Sequence, residues 1–260
     1  EGTQRQMRLN KVGFSKISTI FISHLHGDHF FGLIGLISTF GILNREKELH
    51  IHGPKGIKEV INIQLKHSKS YVKYKIIFHE LNSTESELIF EDEKVKVYTI
   101  PLNHRVYTNG FLFKEKEKSR KINISAVKEF KEIDKCDYNN LKAGKDFKLD
   151  SGDVIKNSEL TYNPEKSLSY AYCSDTSYKP TIIEIIDGVD LLYHESTFLT
   201  DKEDLAKKTG HSTAKQAATI AKKANVKKLV LGHYSSRYKN ISLFKKEAQE
   251  VFENVSLAET

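Results

Sequence analysis

The stretch ISTIFISHLHGDH, residues 17–29, joins a run of apolar and β-branched residues to a cluster of three histidines and one aspartate. Its first part, Ile17 to Ser23, predicts a buried strand. The apolar residues from His29 to Leu43 have the length of a helix. The cluster therefore lies where a strand ends and a helix begins, a common position for residues that carry chemistry.

Four side chains in this stretch are candidate metal ligands. His24 and His26 stand two residues apart, so in extended backbone they point to the same side and can hold one ion. After the turn, Asp28 and His29 can face a second ion beside it. Imidazole and carboxylate ligands without a thiolate are typical of hydrolytic zinc sites. With 11 histidines in 260 residues, the pattern arises by accident on the order of one time in a thousand.

Strands and helices alternate along most of the remaining chain, which predicts an α/β fold with helices on the outer faces of the sheets. The further predicted strands cover residues 49–52, 76–81, 88–90, 95–102, 110–113, 169–174, 191–194 and 228–232. The further predicted helices cover residues 56–67, 181–186, 213–224 and 243–252.

Three more candidate ligands, His104, Asp175 and His233, stand at the ends of predicted strands. Loops at strand ends collect functional residues, which favours a role in the same site. Taken singly, each also has a structural explanation, since Asp175 can cap a following helix and His104 can face solvent.

Other histidines have weaker support as ligands. His50 and His52 also stand two apart, but no carboxylate occupies an adjoining turn, and we expect them on the surface of a strand. His194 precedes Glu195 on one predicted strand and should point to the opposite side of the sheet, where it packs or supports the site.

The composition is that of a globular protein: 260 residues, 38% hydrophobic and 29% charged. A formal charge of +7 favours a polyanionic partner, although charge alone is weak support. Cys136 and Cys173 lie outside any disulfide or metal-binding pattern. Neither a membrane-spanning run nor a signal segment is found, so we expect a soluble, cytoplasmic protein with no membrane partner.

The alternation weakens between Lys114 and Lys166, where a short helix at 124–133 and a turn at 150–153 are the main signals. We interpret this stretch as an inserted arm or hairpin within a single domain of residues 1–260. Its 13 Lys/Arg and 11 Asp/Glu leave a balance of only +2. It therefore does not look like a strong clamp for a polyanion, and a solvated surface excursion explains it as well.

Seven motifs resemble, in order, those of the ribonuclease Z family within the metallo-β-lactamase superfamily. They are EGTQRQ (1–6), SHLHGDH (23–29), LNHR (102–105), YCSDT (172–176), HESTF (194–198), GHST (210–213) and LGHYSSRY (231–238). The first histidine cluster marks the superfamily, whereas HESTF and GHST are more specific to this family. The resemblance covers essentially the whole chain.

The resemblance implies an αββα sandwich of the metallo-β-lactamase type, with metals at one edge of its two sheets. It implies two divalent ions, zinc by default, although the same ligands accept Mn²⁺ or Fe²⁺. The implied ligands of the first ion are His24, His26, His104 and Asp175. Those of the second ion are Asp28, His29, Asp175 and His233, so that Asp175 bridges both.

The implied activity is removal of 3′ trailers from precursor tRNA by an endonuclease that works as a homodimer. Two such ions activate a water and neutralise charge on the phosphoryl oxygens. The departing 3′ oxygen also needs a proton, for which His211 is the candidate donor and Glu195 its orienting partner. Asp28 completes the predicted catalytic set. The structural alternative makes Glu195 and His211 ordinary residues near a helix N-terminus.

The chain departs from this family in two respects. Relatives carry a Gly- and Pro-rich arm that grips tRNA, but residues 114–166 contain only Gly144, Gly152 and Pro164 of these types. The family also has strands upstream of the EGTQRQ motif, so we expect the N-terminal strands of the first sheet to be missing from this chain.

Two other functions remain open from the sequence. A phosphodiesterase acting on small or cyclic nucleotide diesters would use the same metals. A metal-stabilised RNA-binding protein without catalysis would use the basic charge but not His211. A lactam or thioester hydrolase is less favoured, because the basic charge and the GHST motif suit phosphate better.

Overall fold

The structure is a computed structural model that describes residues 2–258. Its helices are α1 (Thr3–Leu9), α2 (Gly27–Ile42), α3 (Ile57–His67), α4 (Ile124–Val127), α5 (Tyr138–Lys142), α6 (Asn157–Leu160), α7 (Glu203–Thr209), α8 (Ala214–Lys223) and α9 (Ser242–Gln249). Its strands are β1 (Thr19–Phe21), β2 (Leu49–Pro54), β3 (Ile76–Leu81), β4 (Leu88–Glu91), β5 (Val95–Pro101), β6 (Asn109–Glu115), β7 (Lys121–Ile122), β8 (Phe147–Lys148), β9 (Val154–Ile155), β10 (Thr161–Tyr162), β11 (Ser169–Cys173), β12 (Leu191–Glu195), β13 (Leu229–Gly232) and β14 (Val255–Leu257).

The described residues form two compact units. The first contains the chain up to Glu91, Lys96–Phe113 and the chain from Ser169 onward. The second contains Asp92–Val95 and Lys114–Leu168.

Two sheets make up the first unit. One has three parallel strands in the order β1-β2-β3. The other has seven strands in the order β14-β13-β12-β11-β6-β5-β4, and its neighbours from β11 to β14 are parallel. Carboxyl ends of parallel strands meet at one edge of a sheet, and this places the loops after β11, β12 and β13 side by side.

Helices α2 and α3 cover the three-stranded sheet. Apolar residues three or four positions apart on α2 form one buried stripe: Phe30, Leu33, Ile37 and Phe40. They belong to a core cluster with Leu49 and Ile51 of β2 and with Ile57 and Ile61 of α3.

Helix α8 covers the seven-stranded sheet with a stripe of small side chains. Its buried residues are Ala214, Ala217, Ala218, Ile220 and Ala221. Because alanine side chains are short, the helix backbone can approach the sheet closely. The cluster also contains Phe244 and Ala248 of α9 and residues of β11, β12 and β13.

Aromatic rings fill the space between the two sheets. The ring of Phe21 on β1 lies 5.3 Å from that of Phe111, 5.5 Å from that of Phe113 and 6.0 Å from that of Phe90, all on the seven-stranded sheet. The order of layers is therefore helix, sheet, sheet, helix, and the predicted αββα sandwich is confirmed.

The expectation that His52 lies on a strand surface is wrong. His52 is 3% exposed, and its ring stacks on Phe21 at 4.9 Å and on His79 at 4.2 Å. A two-residue spacing places His50 and His52 on one face of β2 but does not say which face is buried. Here that face turns toward the other sheet.

The second unit contains the whole of the predicted arm, residues 114–166. It has two antiparallel strand pairs, β7 with β10 and β8 with β9, and the short helices α4, α5 and α6. Its own apolar cluster comprises Val127, Ile133, Leu141, Ile155 and Leu160. The turn predicted at 150–153 connects β8 to β9, with Gly152 at φ 94°.

Most predicted elements occur within a few residues of their expected bounds, with two exceptions among the helices. The helix predicted at 124–133 ends at Val127 as α4. The helix predicted at 181–186 is a 3-10 turn over Pro180–Ile182 followed by irregular turns. Five of the six residues at 181–186 are β-branched, which disfavours an α-helix: Thr181, Ile182, Ile183, Ile185 and Ile186. Among residues 2–258, none of the helices combines the length and the apolar character needed to cross a membrane.

Candidate metal centre

The seven predicted ligand residues come together at the ends of four strands. His24 follows β1, His104 follows β5, Asp175 follows β11 and His233 follows β13 directly. Three groups of residues have potential ligand atoms within 4.8 Å of one another: His24, His26, His104 and Asp175; Asp28, His29 and His233; and Asp175, His211 and His233.

Asp175 lies at the centre of this cluster and is 3% exposed. Its Oδ2 atom lies 3.7 Å from His24 Nε2, 3.4 Å from His29 Nε2 and 3.9 Å from His104 Nε2. Its other oxygen, Oδ1, lies 3.4 Å from His233 Nε2. One carboxylate therefore contacts histidines of both predicted ligand sets, as a bridging ligand would.

Asp28 differs from Asp175 in its environment. Its side chain is 71% exposed, and its Oδ2 lies 3.2 Å from His29 Nε2. It stands in the first turn of α2, where the partial positive charge of the helix N-terminus favours a carboxylate.

Hydrogen bonds fix the orientation of two ligand histidines. His104 Nδ1 lies 2.8 Å from the carbonyl oxygen of Gly210, which can only accept, so this nitrogen carries the proton and donates. Nε2 of His104 is then left with a lone pair facing the cluster. A partner that fixes the tautomer in this way is a regular feature of metal-binding histidines.

His233 is oriented through Thr197. The Thr197 hydroxyl donates to Glu195 Oε2 at 2.9 Å and lies 2.8 Å from His233 Nδ1. Because a hydroxyl has one hydrogen, His233 Nδ1 must donate to the Thr197 oxygen. The lone pair of His233 Nε2 consequently points to Asp175. His233 also has φ 61°, a strained backbone conformation for a non-glycine residue that clusters at functional sites.

His24 is held by a chain of hydroxyl groups. Its Nδ1 lies 3.1 Å from Ser23 Oγ, which donates to Ser174 Oγ at 3.3 Å. Ser174 Oγ donates in turn to Asp175 Oδ1 at 3.4 Å. Because each hydroxyl donates its single hydrogen toward Asp175, Ser23 Oγ must accept from His24. Nδ1 of His24 therefore carries the hydrogen, and its Nε2 has a lone pair.

The donor set fits a bound cation. Nε2 of His24 and Nε2 of His29 are buried without a hydrogen-bond partner. Such atoms are costly unless something binds them. Buried nitrogens without a partner also occur at His52 and His194, so burial alone does not identify ligands.

The spacing of the nitrogens supplies the second part of the fit. His26 Nδ1 and His104 Nε2 lie 3.3 Å apart. Ligands about 2.0–2.1 Å from a tetrahedral zinc ion are separated by about 3.3–3.4 Å. The two imidazoles are therefore placed as neighbouring ligands of one ion.

The protonation states of His24, His104 and Asp175 also suit cation binding; at His29, burial lowers the pKa but the carboxylates of Asp175 and Asp28 raise it overall. Burial and the neighbouring imidazoles together lower the pKa of His24 to about 3, against the raising effect of Asp175. Burial also lowers the pKa of His104. For Asp175, burial acts to raise the pKa, but the close approach of His29 and the charges of the other nearby histidines outweigh it and hold the pKa well below its usual range. A neutral imidazole and an ionised carboxylate are the forms that bind metals.

Glu195 and His211 form a pair beside this cluster. His211 Nδ1 donates to Glu195 Oε1 at 2.9 Å, and the His211 ring lies 5.1 Å from that of His104 and 5.3 Å from that of His233. Glu195 is 0% exposed. Its remaining contacts are also donors: the backbone N–H groups of Thr176, Thr197 and Ser212 and the Thr197 hydroxyl.

These contacts give the pair a defined chemistry. Burial lowers the pKa of His211, but the hydrogen bond and charge of Glu195 raise it above its ordinary value overall. His211 Nδ1 is occupied by Glu195, so Nε2 is the ring atom available to exchange a proton with a substrate. His194, by contrast, lies buried on the sheet and donates from Nδ1 to the carbonyl oxygen of Glu195 at 2.7 Å.

The residues that support the ligands were missed at the sequence level: Ser23, Ser174, Thr197 and Gly210. Thr197 lies in the HESTF motif, so its position beside Glu195 was a usable signal. Gly210 likewise lies in the GHST motif, but its contact with His104 joins residues that are distant in the chain and was not predictable from the motif.

Two parts of the chain match known protein families. Residues 1–111 match the metallo-beta-lactamase superfamily, and residues 160–234 match the beta-lactamase superfamily domain. Together these parts contain all seven predicted ligands.

Curated relatives and a solved structure extend this similarity. Ribonuclease Z of Bacteroides fragilis (strain YCH46) is 47% identical over 258 residues, which are 99% of this chain and 84% of that protein. Ribonuclease Z of Parabacteroides distasonis is 48% identical over 259 residues, or 100% of this chain and 85% of that protein. The crystal structure of human tRNase Z, short form, is similar with a TM-score of 0.69 and 28% identity, covering 100% of this chain and 83% of that one.

Proposed function

Because the chain belongs to the ribonuclease Z family of the metallo-β-lactamase superfamily, we propose that it is a metal-dependent endoribonuclease that removes 3′ trailers from precursor tRNA. The relatives that support this are named Ribonuclease Z, and the structural neighbour is a tRNase Z. The formal charge of +7 suits a polyanionic substrate.

One observation carries the proposal beyond the family name. The Asp175 carboxylate contacts histidines of both predicted ligand sets, and the Glu195–His211 pair stands beside them. A phosphodiester hydrolase needs a site for its nucleophile and a proton for its leaving group, and the two parts of this arrangement match these needs.

The site supports two divalent ions, for which zinc is the default. We assign His24, His26, His104 and Asp175 to the first ion and Asp28, His29, Asp175 and His233 to the second. When bound, such a pair lowers the pKa of a shared water and neutralises charge on the phosphoryl oxygens. Asp28, exposed and 3.2 Å from His29, would hold an ion and could orient the attacking water, and we assign it to the catalytic set on that basis.

His211 supplies the proton for the leaving group. Cleavage that leaves a 3′ hydroxyl on the tRNA requires protonation of the departing 3′ oxygen, since an alkoxide is a poor leaving group. Glu195 holds His211 by Nδ1 and favours its charged form, so Nε2 delivers the proton. Thr197 contacts both Glu195 and His233, so it fixes the position of the proton donor relative to the second ligand set.

We further propose that the enzyme acts as a homodimer in the cytoplasm, as the family resemblance implies. Sedimentation of the purified protein with and without precursor tRNA tests the dimer directly.

Replacing His211 with alanine tests the catalytic assignment. We expect turnover of a 3′-extended precursor tRNA to fall by about 10²–10⁴-fold, the usual contribution of a general acid. The metal content per chain should stay unchanged, because His211 is not among the assigned ligands. The measurements are single-turnover cleavage and elemental analysis of protein purified without chelator.

His67→Ala is the matched control, because His67 is an exposed histidine at the end of α3. It should cleave like the unmodified protein. Equal cleavage by His211→Ala would show that His211 is not the proton donor. If the unmodified protein turns over small or cyclic nucleotide diesters but leaves the precursor intact, the substrate assignment is wrong. RNA binding without any hydrolysis would show a non-catalytic protein.

A further inference from the structure

A groove of about 300 Å³ opens beside the ligand His104, in the first unit. Residues from the β3–β4 loop, the β5–β6 connection and the segment after β11 line it. The polar ones that matter here are Ser83, His104, Arg105, Tyr107, Asn109 and Lys179. The groove therefore shares a wall with the proposed metal centre.

Two cations face this groove, and its lining contains no carboxylate. Arg105 is exposed and close enough to His211 for its charge to act on that imidazole. Lys179 is half-buried; burial lowers its pKa, while the charge of Glu85 raises it. Within residues 2–258 the structure shows no ion pair for either side chain. Because both cations line a groove without a carboxylate in its lining, and only Glu85 acts on Lys179 from outside that lining, the groove carries positive charge that favours an anion.

Asn109 adds an unsatisfied acceptor to the same groove. Tyr107 donates its hydroxyl hydrogen to the carbonyl oxygen of Ser83 at 2.9 Å, so the Tyr107 oxygen must accept from Asn109 Nδ2 at 2.8 Å. This fixes the orientation of the Asn109 amide. Its Oδ1 is left buried without a partner, although the residue is 1% exposed. A buried acceptor without a partner is costly, so a donor supplied to it from the groove would be favoured.

We propose that this groove is a nucleotide subsite next to the scissile bond, in which Arg105 and Lys179 bind an RNA phosphodiester and Asn109 Oδ1 accepts a hydrogen bond from the same nucleotide. This rests on the proposed function and adds which residues hold the RNA beside the cut. The donor to Asn109 is a ribose 2′-hydroxyl or a base N–H group. The flanking phosphate belongs either to the trailer or to the acceptor end of the tRNA.

The three side chains would bind different parts of the nucleotide. A guanidinium binds phosphate oxygens through two parallel hydrogen bonds, and an ammonium acts as a point charge. These contacts fix the register of the strand without reading its sequence. An amide oxygen in a buried position discriminates more sharply, because a nucleotide without the donor leaves it unpaired.

The variants Arg105→Gln and Lys179→Gln test the phosphate contacts. Each should raise KM for precursor tRNA about tenfold with little change in kcat, since these contacts form in the ground state as well as the transition state. Binding to a precursor with a methylphosphonate at the scissile linkage, measured by anisotropy, should weaken to the same extent. The slope of log Kd against log salt should fall by about 0.7 for each lost contact to single-stranded RNA.

Lys58→Gln is the matched control. Lys58 is an exposed lysine on α3, outside the groove, so this substitution removes one positive charge without changing the groove. Turnover of bis(p-nitrophenyl) phosphate, which is too small to span the groove, reports on the metal centre separately. It should be unchanged in Lys179→Gln, whereas Arg105→Gln also removes a charge that acts on His211, so its precursor cleavage is compared only after normalisation to its own small-diester turnover. If Arg105→Gln and Lys179→Gln bind precursor with the Kd and salt slope of Lys58→Gln, the subsite is refuted while the nuclease assignment stands. Failure of the unmodified protein to cut precursor refutes the proposed function instead.

Asn109→Ala tests the acceptor together with modified RNA. Single 2′-deoxy substitutions on either side of the cut should weaken binding by the unmodified protein at one position and have no further effect on Asn109→Ala. If the donor is instead a base N–H group, a base analogue without its amino group at that position should weaken binding in the same way. The position of the effect shows whether the trailer or the acceptor end occupies the groove. If no modification distinguishes the two proteins, Asn109 does not contact RNA.

Should Asn109→Ala unfold, its thermal midpoint and small-diester turnover will show it. Asn109→Ser, whose hydroxyl can donate to Tyr107 and still accept from the nucleotide, then serves as the second variant and should retain the sensitivity to the modified nucleotide.

Discussion

Gly210 shows how one residue without a side chain controls a metal ligand. Its carbonyl oxygen accepts the Nδ1 hydrogen of His104 at 2.8 Å, and its backbone has φ 76°. A Cβ atom at this position would lie 2.8 Å from His104 Nδ1, closer than real contacts allow. The position therefore excludes every other residue type for two reasons, backbone strain and collision with the imidazole.

We expect Gly210→Ala to lose metal as well as stability. The left-handed backbone costs an alanine roughly 1–2 kcal/mol, and displacement of the imidazole should lower metal affinity about 10–100-fold. Gly188→Ala separates the two effects, because Gly188 has φ 67° but nothing within 4 Å of a Cβ atom. Both variants should show a lower thermal midpoint. Only Gly210→Ala should bind less metal in a titration with a competing chelator, and equal metal affinities would disprove the contact with His104.

The residue scale also shows what the sequence can predict about a site. All seven predicted ligands converge, because the spacing of His24, His26, Asp28 and His29 and the strand-end positions of the others are local properties of the chain. The supporting contacts of Ser23, Ser174 and Gly210 depend on which strands become neighbours. That arrangement is set by tertiary packing, so these contacts were out of reach.

At the scale of elements, the start of α8 is secured by a capping box. The Thr213 side chain accepts from the backbone N–H of Gln216 at 3.1 Å, and the Gln216 side chain accepts from the backbone N–H of Thr213 at 3.0 Å. The box satisfies two backbone donors that a helix otherwise leaves open. It also fixes the end of the loop that carries His211.

Removing the cap should destabilise the protein. We expect Thr213→Ala to lower the free energy of unfolding by about 1 kcal/mol and the thermal midpoint by about 2–4 °C. Thr213→Ser keeps the hydroxyl and should stay near the unmodified protein in a thermal denaturation experiment. If serine and alanine are equally destabilising, the lost methyl group and not the cap is responsible.

Elements with long apolar patterns were the predictable ones. Strand β3 and helix α3 occur almost where their periodicity places them, because burial of one face dominates their stability. The short helices and two-residue strands between Lys114 and Leu168 carry no such pattern. Their order comes from a small apolar cluster assembled from the whole segment, which a local reading of the chain does not detect.

At the scale of the whole first unit, the layer of aromatic rings between the two sheets includes a titratable imidazole, that of His52. His52 stacks between Phe21 and His79, and its ring lies 6.2 Å from Phe90 of the opposite sheet. Burial and the charges of His79 and His50 lower the pKa of His52 to about 4. Beyond these imidazoles, Glu48 lies 3.8 Å from His50 and also contacts Lys75.

This layer should make stability depend on pH. Below about pH 6.5 the unfolded chain protonates His52, whereas the folded protein holds it neutral until about pH 4. Stability is therefore greatest above pH 6.5 and falls between these values, by at most roughly 3 kcal/mol for this group. In urea titrations at several pH values, the unfolding free energy of His52→Phe relative to the unmodified protein should rise as the pH falls. His67→Gln should show no such trend, and a constant difference for His52→Phe would rule out His52 as the cause.

The proposed ligands belong to both layers of the sandwich. His24, His26, Asp28 and His29 extend from the three-stranded sheet, whereas His104, Asp175 and His233 extend from the seven-stranded sheet. Each ion would therefore connect the two sheets, in addition to the aromatic packing and the hydrogen bond from Ser23 to Ser174. Binding of metal would then stabilise the contact between the two sheets as well as supply the catalytic ions. In a cell short of the ion, the protein would be less stable and more sensitive to proteases as well as inactive.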